Sequence, residues 1–182
     1  MKDFRRSLSA SLLVGFASLI NLGLLSGGFR VSAGIILFVA LLYYYDDLEP
    51  IPTGILSGVI VYLLRVMVFF VSNQGFGDAF TAFLPEILFY ISYAIVYHFA
   101  IYRRDKNNLN LFYFIMVISD LGANYAEVSL RSIMESSLFT ANTAITLIIV
   151  SVIRSAIIWL ILNGIVNFRG YLSKFEKNRI ND

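Results

Sequence analysis

The chain contains no cysteine, which excludes disulfides, thiolate nucleophiles and thiolate metal sites. It has a single histidine and no cluster of metal-ligating side chains, which argues against a metalloenzyme. Charge is also scarce. Only 14% of the 182 residues are Asp, Glu, Lys or Arg, against about 25% in a soluble domain. The formal net charge of +2 is small and scattered, so no nucleic-acid partner is expected. What fills the sequence instead is apolar: 58% hydrophobic residues, with a mean hydropathy of +0.76. Too few polar residues remain to cover a water-facing surface, so lipid is the expected outer solvent.

A spanning helix needs about 20 apolar residues. Six runs qualify or come close: Leu8 to Ser26, Val31 to Tyr45, Thr53 to Val71, Phe80 to Tyr102, Leu109 to Leu130, and Thr140 to Phe168. They lack the alternation of a lipid-embedded barrel and are much longer than its strands of about ten residues. The breakers Pro50, Pro52, Gly75 and Gly77 fall between runs, whereas Pro85 lies inside the fourth and should kink it or mark a later start. The expected fold is therefore all-α, a polytopic transmembrane bundle of about six helices over residues 1–168. The second run is short and joined to the first by only Gly27-Gly28-Phe29-Arg30. The two could instead form a re-entrant hairpin.

Orientation follows from Lys and Arg in short loops. Lys2, Arg5, Arg6, Arg103, Arg104, Lys106, Arg169, Lys174, Lys177 and Arg179 fall on one side, and only Arg30 and Arg131 on the other. This places a multi-pass protein in the cell membrane with both termini cytoplasmic. The N-terminus is basic then apolar, but no small-residue cleavage site precedes Phe29, so the first helix is expected to be retained.

Charges at a helix centre cost about 2.5–3.5 kcal/mol each on insertion scales, so they face the bundle interior and pair. At about 1.5 Å of rise per residue, Arg65 and Glu86 meet roughly 9 Å inside the outer boundary. Asp120 and Arg154 meet near mid-membrane. Asp120, Asn124, Glu127 and Arg131 share one helix face, and Glu86, Tyr90, Tyr93 and Tyr97 form a similar stripe on the fourth segment. Pointing inward, the two stripes line a cavity open to the outer side, with the aromatic walls and sparse polar groups of a small-molecule pocket. Glu86, Tyr90, Tyr93, Asp120, Asn124 and Glu127 are then the ligand-binding candidates. The alternative is structural: ion pairs that only fix register, and tyrosines that anchor at the interface. His98 reads as a packing or interface residue. No catalytic set, metal site or cofactor is expected, because no nucleophile and base accompany the acids.

Small residues also recur at helical spacing. Ser7, Ser11, Gly15 and Ser18 mark one face of the first segment, and Gly54 with Gly58 forms a GxxxG in the third. Packing within the chain, against a partner, or in a homodimer all fit. Residues 169–182 read as a cytoplasmic juxtamembrane helix on anionic lipid, or as the start of a signalling linker. Ile158, Ile161, Ile165, Phe168, Leu172 and Phe175 carry coiled-coil spacing across that boundary, interrupted by Gly170. The ending at Asn181-Asp182 fits a domain boundary as well as a natural terminus.

Two family resemblances follow. Phe29-Arg30-Val31-Ser32-Ala33-Gly34, the run to Leu48-Glu49-Pro50, Thr53-Gly54 through Leu64-Arg65, and Leu84-Pro85 with the tyrosines after it resemble the membrane-embedded input regions of Gram-positive sensor histidine kinases. The likeness covers roughly Leu8 to Phe168. It implies a sensory domain that binds a small ligand or senses membrane state, with a kinase core following. This chain has no phosphoacceptor-His segment or Gly-rich ATP lid, so it is not expected to be an enzyme by itself. The size, helix count and small first-helix face are similar, second, to the S components of energy-coupling-factor vitamin transporters. That resemblance implies substrate binding near the outer face and partner docking through the first helix.

Overall fold

The computed structural model describes residues 2–23, 30–72, 76–102, 109–135 and 141–180. Six helices account for almost all of it. They are α1 (Lys2–Ser18), α2 (Ala33–Tyr44), α3 (Pro50–Val71), α4 (Phe76–Tyr97), α5 (Leu109–Glu135) and α6 (Ala141–Ile180). The architecture is an α-helical membrane bundle. Two three-residue strands, β1 (Asn21–Gly23) and β2 (Arg30–Ser32), pair antiparallel between α1 and α2.

Four helices carry stretches long and apolar enough to cross a bilayer: Pro50–Val71, Phe80–Ala100, Leu111–Met134 and Thr143–Ile165. The first two helices depart from the expected runs. The run from Leu8 does not stay helical to Ser26. The helix ends at Ser18, and the chain turns into β1, whose Asn21 and Gly23 are poor helix formers. α2 has 12 residues, about 18 Å of rise, short of a hydrocarbon core of about 30 Å. Ser32 caps it, its hydroxyl accepting from the Gly34 N–H at 3.1 Å. The expected bundle of about six helices is present; among the described residues four of them carry stretches of spanning length, and α1 and α2 form a shorter helical hairpin beside them.

Within the hairpin, α1 runs alongside α3 for much of its length. At one end Arg6 pairs with Asp47, joining the start of α1 to the turn after α2. Up the α1–α3 contact, the Thr53 hydroxyl donates to Ser7 Oγ at 3.1 Å and Ser57 donates to Ser11 Oγ at 3.0 Å. Ser11 donates to the Thr53 carbonyl at 3.2 Å. Gly15 then lies against Ile60 and Leu64. At the far end an Arg65 guanidinium nitrogen donates to the Ser18 carbonyl at 3.2 Å. The small face of α1 is thus occupied within the chain. The two ends of the bundle are the loop end, at Arg6–Asp47, and the ribbon end, at β1–β2.

α3 uses a second small face against α4. A Cβ added at Gly54 would fall on that of Ala94, and one at Gly58 would lie 3.0 Å from the Ile87 carbonyl. The two backbones approach this closely only because glycine has no side chain. Pro50 occupies the first turn of α3, where its missing N–H costs nothing. Pro85 lies inside α4, which continues through it and ends in a π-helical turn, His98–Tyr102.

The core is aromatic. Phe38 of α2 meets Tyr90 and Tyr93 edge-on, with ring centroids 5.6 and 6.3 Å apart. Phe112 of α5 receives Tyr43 at 5.1 Å and Tyr97 at 6.4 Å. Such edge-to-face pairs add about 0.5–1.5 kcal/mol each beyond area burial. Outside this core, large apolar side chains such as Met67, Phe114, Ile118 and Leu160 are exposed, as a lipid-facing surface requires.

α6 is a single helix of 40 residues, continuous through Gly170. Ile158 is buried in the core, while Ile161 and Ile165 are exposed as the helix leaves the bundle. The side chains of Phe168, Leu172 and Phe175 lie outside the described residues, as do those of Arg169, Lys174, Lys177 and Arg179. Also outside are Gly27, Gly28, Phe29, Gly75, Arg103, Arg104, Lys106 and the Asn181-Asp182 end.

Candidate functional site

The intramembrane charges gather in two groups along the bundle axis. Near the ribbon end, Arg65 of α3 forms an ion pair with Glu86 of α4. Its side chain also reaches the Ser18 carbonyl at the C-terminus of α1, where a helix favours a cation. Arg65 therefore ties three helices together. On α5, Arg131 donates to Glu127 one turn away, at 3.3 Å. Glu127 and Arg131 lie close enough to act electrostatically on Glu86. The result is a mixed group of two carboxylates and two guanidiniums, with Glu86 buried and Glu127 and Arg131 half-buried.

Deeper, Arg154 of α6 donates to an Asp120 carboxylate oxygen of α5 at 3.1 Å. The Asp120 side chain is 0% exposed and that of Arg154 is 6% exposed. At this depth neither charge survives alone. Asn124 donates to the other Asp120 oxygen at 2.9 Å, and the same amide group reaches Ser151 Oγ of α6 at 3.2 Å. The Arg154 guanidinium stacks over the Phe89 ring of α4, 5.3 Å from its centroid, a favourable placement for a weakly hydrated cation. This network links α4, α5 and α6.

The face of α5 that carries Asp120, Asn124, Glu127 and Arg131 is continuous between the two groups. It grades from fully buried at Asp120 to half-exposed at Arg131. The tyrosine stripe behaves differently. Tyr90, Tyr93 and Tyr97 are all in the core, packed on Phe38, Phe89 and Phe112. The Tyr90 hydroxyl lies against Gly34. The stripe therefore forms an inner wall, and it is the α5 face that leads toward the ribbon end. His98 stacks edge-on with Phe99, 5.2 Å between centroids.

Sequence reading missed the contribution of α6 beyond its arginine. Ser151, Ser155 and Trp159 recur every four residues on the buried flank of Arg154. That spacing was available as a signal. It was hidden because serine is common in apolar helices and the surrounding residues are uniformly aliphatic. Phe89, the ring beneath Arg154, carried no signal apart from its neighbours in the fold.

Comparison with family models, with curated proteins and with solved structures returns no match.

Proposed function

We propose that this chain is the membrane-embedded sensory input domain of a signal-transducing histidine kinase. In this reading a small ligand or a change in membrane state biases the packing of α4, α5 and α6. Glu86, Asp120, Asn124 and Glu127 respond to the stimulus, Tyr90 and Tyr93 form the core wall behind them, and Arg65 and Arg154 balance the charge. The loop end and the C-terminal half of α6 are cytoplasmic, and the chain itself carries out no catalysis. Membrane lipid and a second copy of the chain are the expected partners.

One observation carries the proposal: α6 is continuous over 40 residues, about 60 Å. Its bilayer-length stretch covers only Thr143–Ile165. The part after Ile165 adds roughly 22 Å in unbroken helical register with Arg154. A helix is stiff enough to pass a rotation or shift at the Asp120–Arg154 pair to its far end as a rigid-body displacement. The transporter-subunit reading asks the first helix to dock a partner through its small face. In this fold Ser7, Ser11 and Gly15 are already packed on α3, which favours the sensory reading.

The test joins residue 182, in helical register, to a histidine-kinase core and measures autophosphorylation in membranes. Asp120→Asn and Arg154→Gln are expected to lock the output, high or low, by several-fold. Output unchanged by both substitutions refutes the proposal.

A further inference from the structure

α2 is short, yet none of its residues from Ala33 to Tyr43 is exposed. It touches every other helix. α1 and α6 contact it directly, and on α3 its Phe38 ring lies against Gly54. Phe38 also packs on Tyr90 and Tyr93 of α4, and Tyr43 packs on Phe112 of α5. A helix of about 18 Å, enclosed in this way, fills the middle of the bundle over only part of a core of about 30 Å.

Hydrogen bonds fix the level at which it stops. The Ser32 hydroxyl, at the N-cap of α2, donates to the Ser18 carbonyl at 3.3 Å. Arg65 donates to the same carbonyl and pairs with Glu86. The top of α2 is therefore level with the Arg65–Glu86 pair, roughly 9 Å inside the outer boundary. Above it, the described part of the hairpin continues only as the short strands β1 and β2.

Exposure along α5 changes at that same level. Asp120 and Asn124 are buried, whereas Glu127 and Arg131, on the same face of the same helix, have side chains 23% and 36% exposed. These two still point inward, because the lipid-facing side of α5 carries the exposed Ile118, Gly122 and Tyr125. An inward face is exposed only where the space in front of it is open. Hydrocarbon is a poor filling for that space, since charges there cost about 2.5–3.5 kcal/mol each on insertion scales. The outward N–H and C=O groups of a two-stranded ribbon also find no partner in lipid. Non-helical backbone is tolerated at membrane depth where it is buried in protein or lines a water-filled cavity.

We propose that the ribbon end of the bundle is an aqueous vestibule, closed below by the N-terminus of α2 and walled by Arg65, Glu86, Glu127 and Arg131. Water bathes these charges and the ribbon, and the hairpin is the stopper that keeps it from the Asp120–Arg154 pair. The proposal deepens the input-domain reading by fixing the phase from which a stimulus arrives: a water-borne solute on the ribbon-end side. It rests on that reading for the stimulus alone, and the vestibule stands on the geometry of α2 and α5.

The chain has no cysteine, so single cysteines report on water directly. A thiol reacts as its thiolate, which forms in water and not in hydrocarbon. Ser32→Cys, Glu127→Cys and Tyr125→Cys are made in the full chain. Labelling by a charged, membrane-impermeant methanethiosulfonate is timed in intact cells and in inside-out vesicles. Tyr125 is 58% exposed, more than Glu127, and lies about 3 Å from it in depth, but it faces lipid. Ser32→Cys and Glu127→Cys are expected to react at least about tenfold faster than Tyr125→Cys, and only from the side that labels a cysteine at Ser72. Ser32→Cys is the milder change, and it covers the case in which Glu127→Cys disturbs its pair with Arg131. Labelling of Ser32→Cys no faster than Tyr125→Cys, or from the loop-end side, overturns the proposal whatever Glu127→Cys does. A kinase fusion indifferent to Asp120→Asn and Arg154→Gln would refute the input reading and leave these rates as they are.

Discussion

Neutralising Asp120 alone and together with Arg154 gives a measurement whose size the structure sets. In Asp120→Asn, the Arg154 guanidinium stays 5% exposed and over the Phe89 ring, but without its counter-ion. Breaking a buried pair by removing one partner costs about 3–5 kcal/mol, and an uncompensated arginine at mid-membrane costs about 2.5–3.5 kcal/mol on insertion scales. A loss of roughly 3 kcal/mol is therefore expected. Arg154→Met alone leaves Asp120 without its cation, held only by hydrogen bonds from Asn124 and Ser151, and should cost a similar amount. In the Asp120→Asn, Arg154→Met double variant no charge remains, and replacing a buried pair as a unit is neutral or stabilising. It should lie within about 1 kcal/mol of the unsubstituted chain. The coupling energy from the four proteins is then about 5 kcal/mol. The same cycle on Glu127–Arg131, whose side chains are 23% and 36% exposed, should give under about 1 kcal/mol. Equilibrium unfolding in mixed micelles, followed by far-UV circular dichroism, reads all seven proteins. A coupling at Asp120–Arg154 no larger than that at Glu127–Arg131 would refute the claim that the deeper pair is desolvated and mutually dependent.

Glycine contacts supply a second contrast. Gly54→Ala places a methyl on Ala94 and 3.0 Å from the Tyr90 carbonyl, so it should destabilise by about 1–3 kcal/mol through overpacking. Gly122→Ala meets nothing within 4 Å and should stabilise α5 by up to about 1 kcal/mol; the same unfolding assay separates the two. Arg65→Met releases both Glu86 and the Ser18 carbonyl. Faster amide hydrogen exchange is expected in β1, β2 and the last turn of α1, with the loop end of α3 unchanged. The absence of cysteine makes the proposed orientation directly testable. In intact cells, a cysteine at exposed Ser72 should react with a membrane-impermeant maleimide and one at exposed Asp46 should not; the reverse pattern inverts the topology.

Much of the site was legible because bilayer depth is a one-dimensional coordinate. Rise per residue places Arg65 level with Glu86 and Asp120 level with Arg154, and a charge in lipid has few alternatives to its nearest opposite. Helical periodicity likewise placed Asp120, Asn124 and Glu127 on one face. The same logic does not reveal what lies sideways. Nothing in the spacing of Tyr90, Tyr93 and Tyr97 distinguishes a cavity wall from a packed core. That depended on Phe38 and Phe112 arriving from α2 and α5. Nor could Gly27-Gly28 alone announce a ribbon in place of continued helix, because the β1–β2 pairing depends on α1 and α2 docking side by side.

The scarcity of charge and the length of the apolar runs by themselves determined a helical membrane protein. With no water to satisfy the backbone in lipid, a helix supplies every hydrogen bond from within its own segment. Those features also determined which charges must find partners. Only the tertiary structure decided how many helices have spanning length, that the small faces of α1 and α3 are used inside the chain, and that α6 runs unbroken past the bilayer. Each of these depends on contacts between segments distant in sequence. Helix–helix packing in lipid is governed by close shape fit and hydrogen bonds rather than by hydrophobicity, so composition carries no record of it.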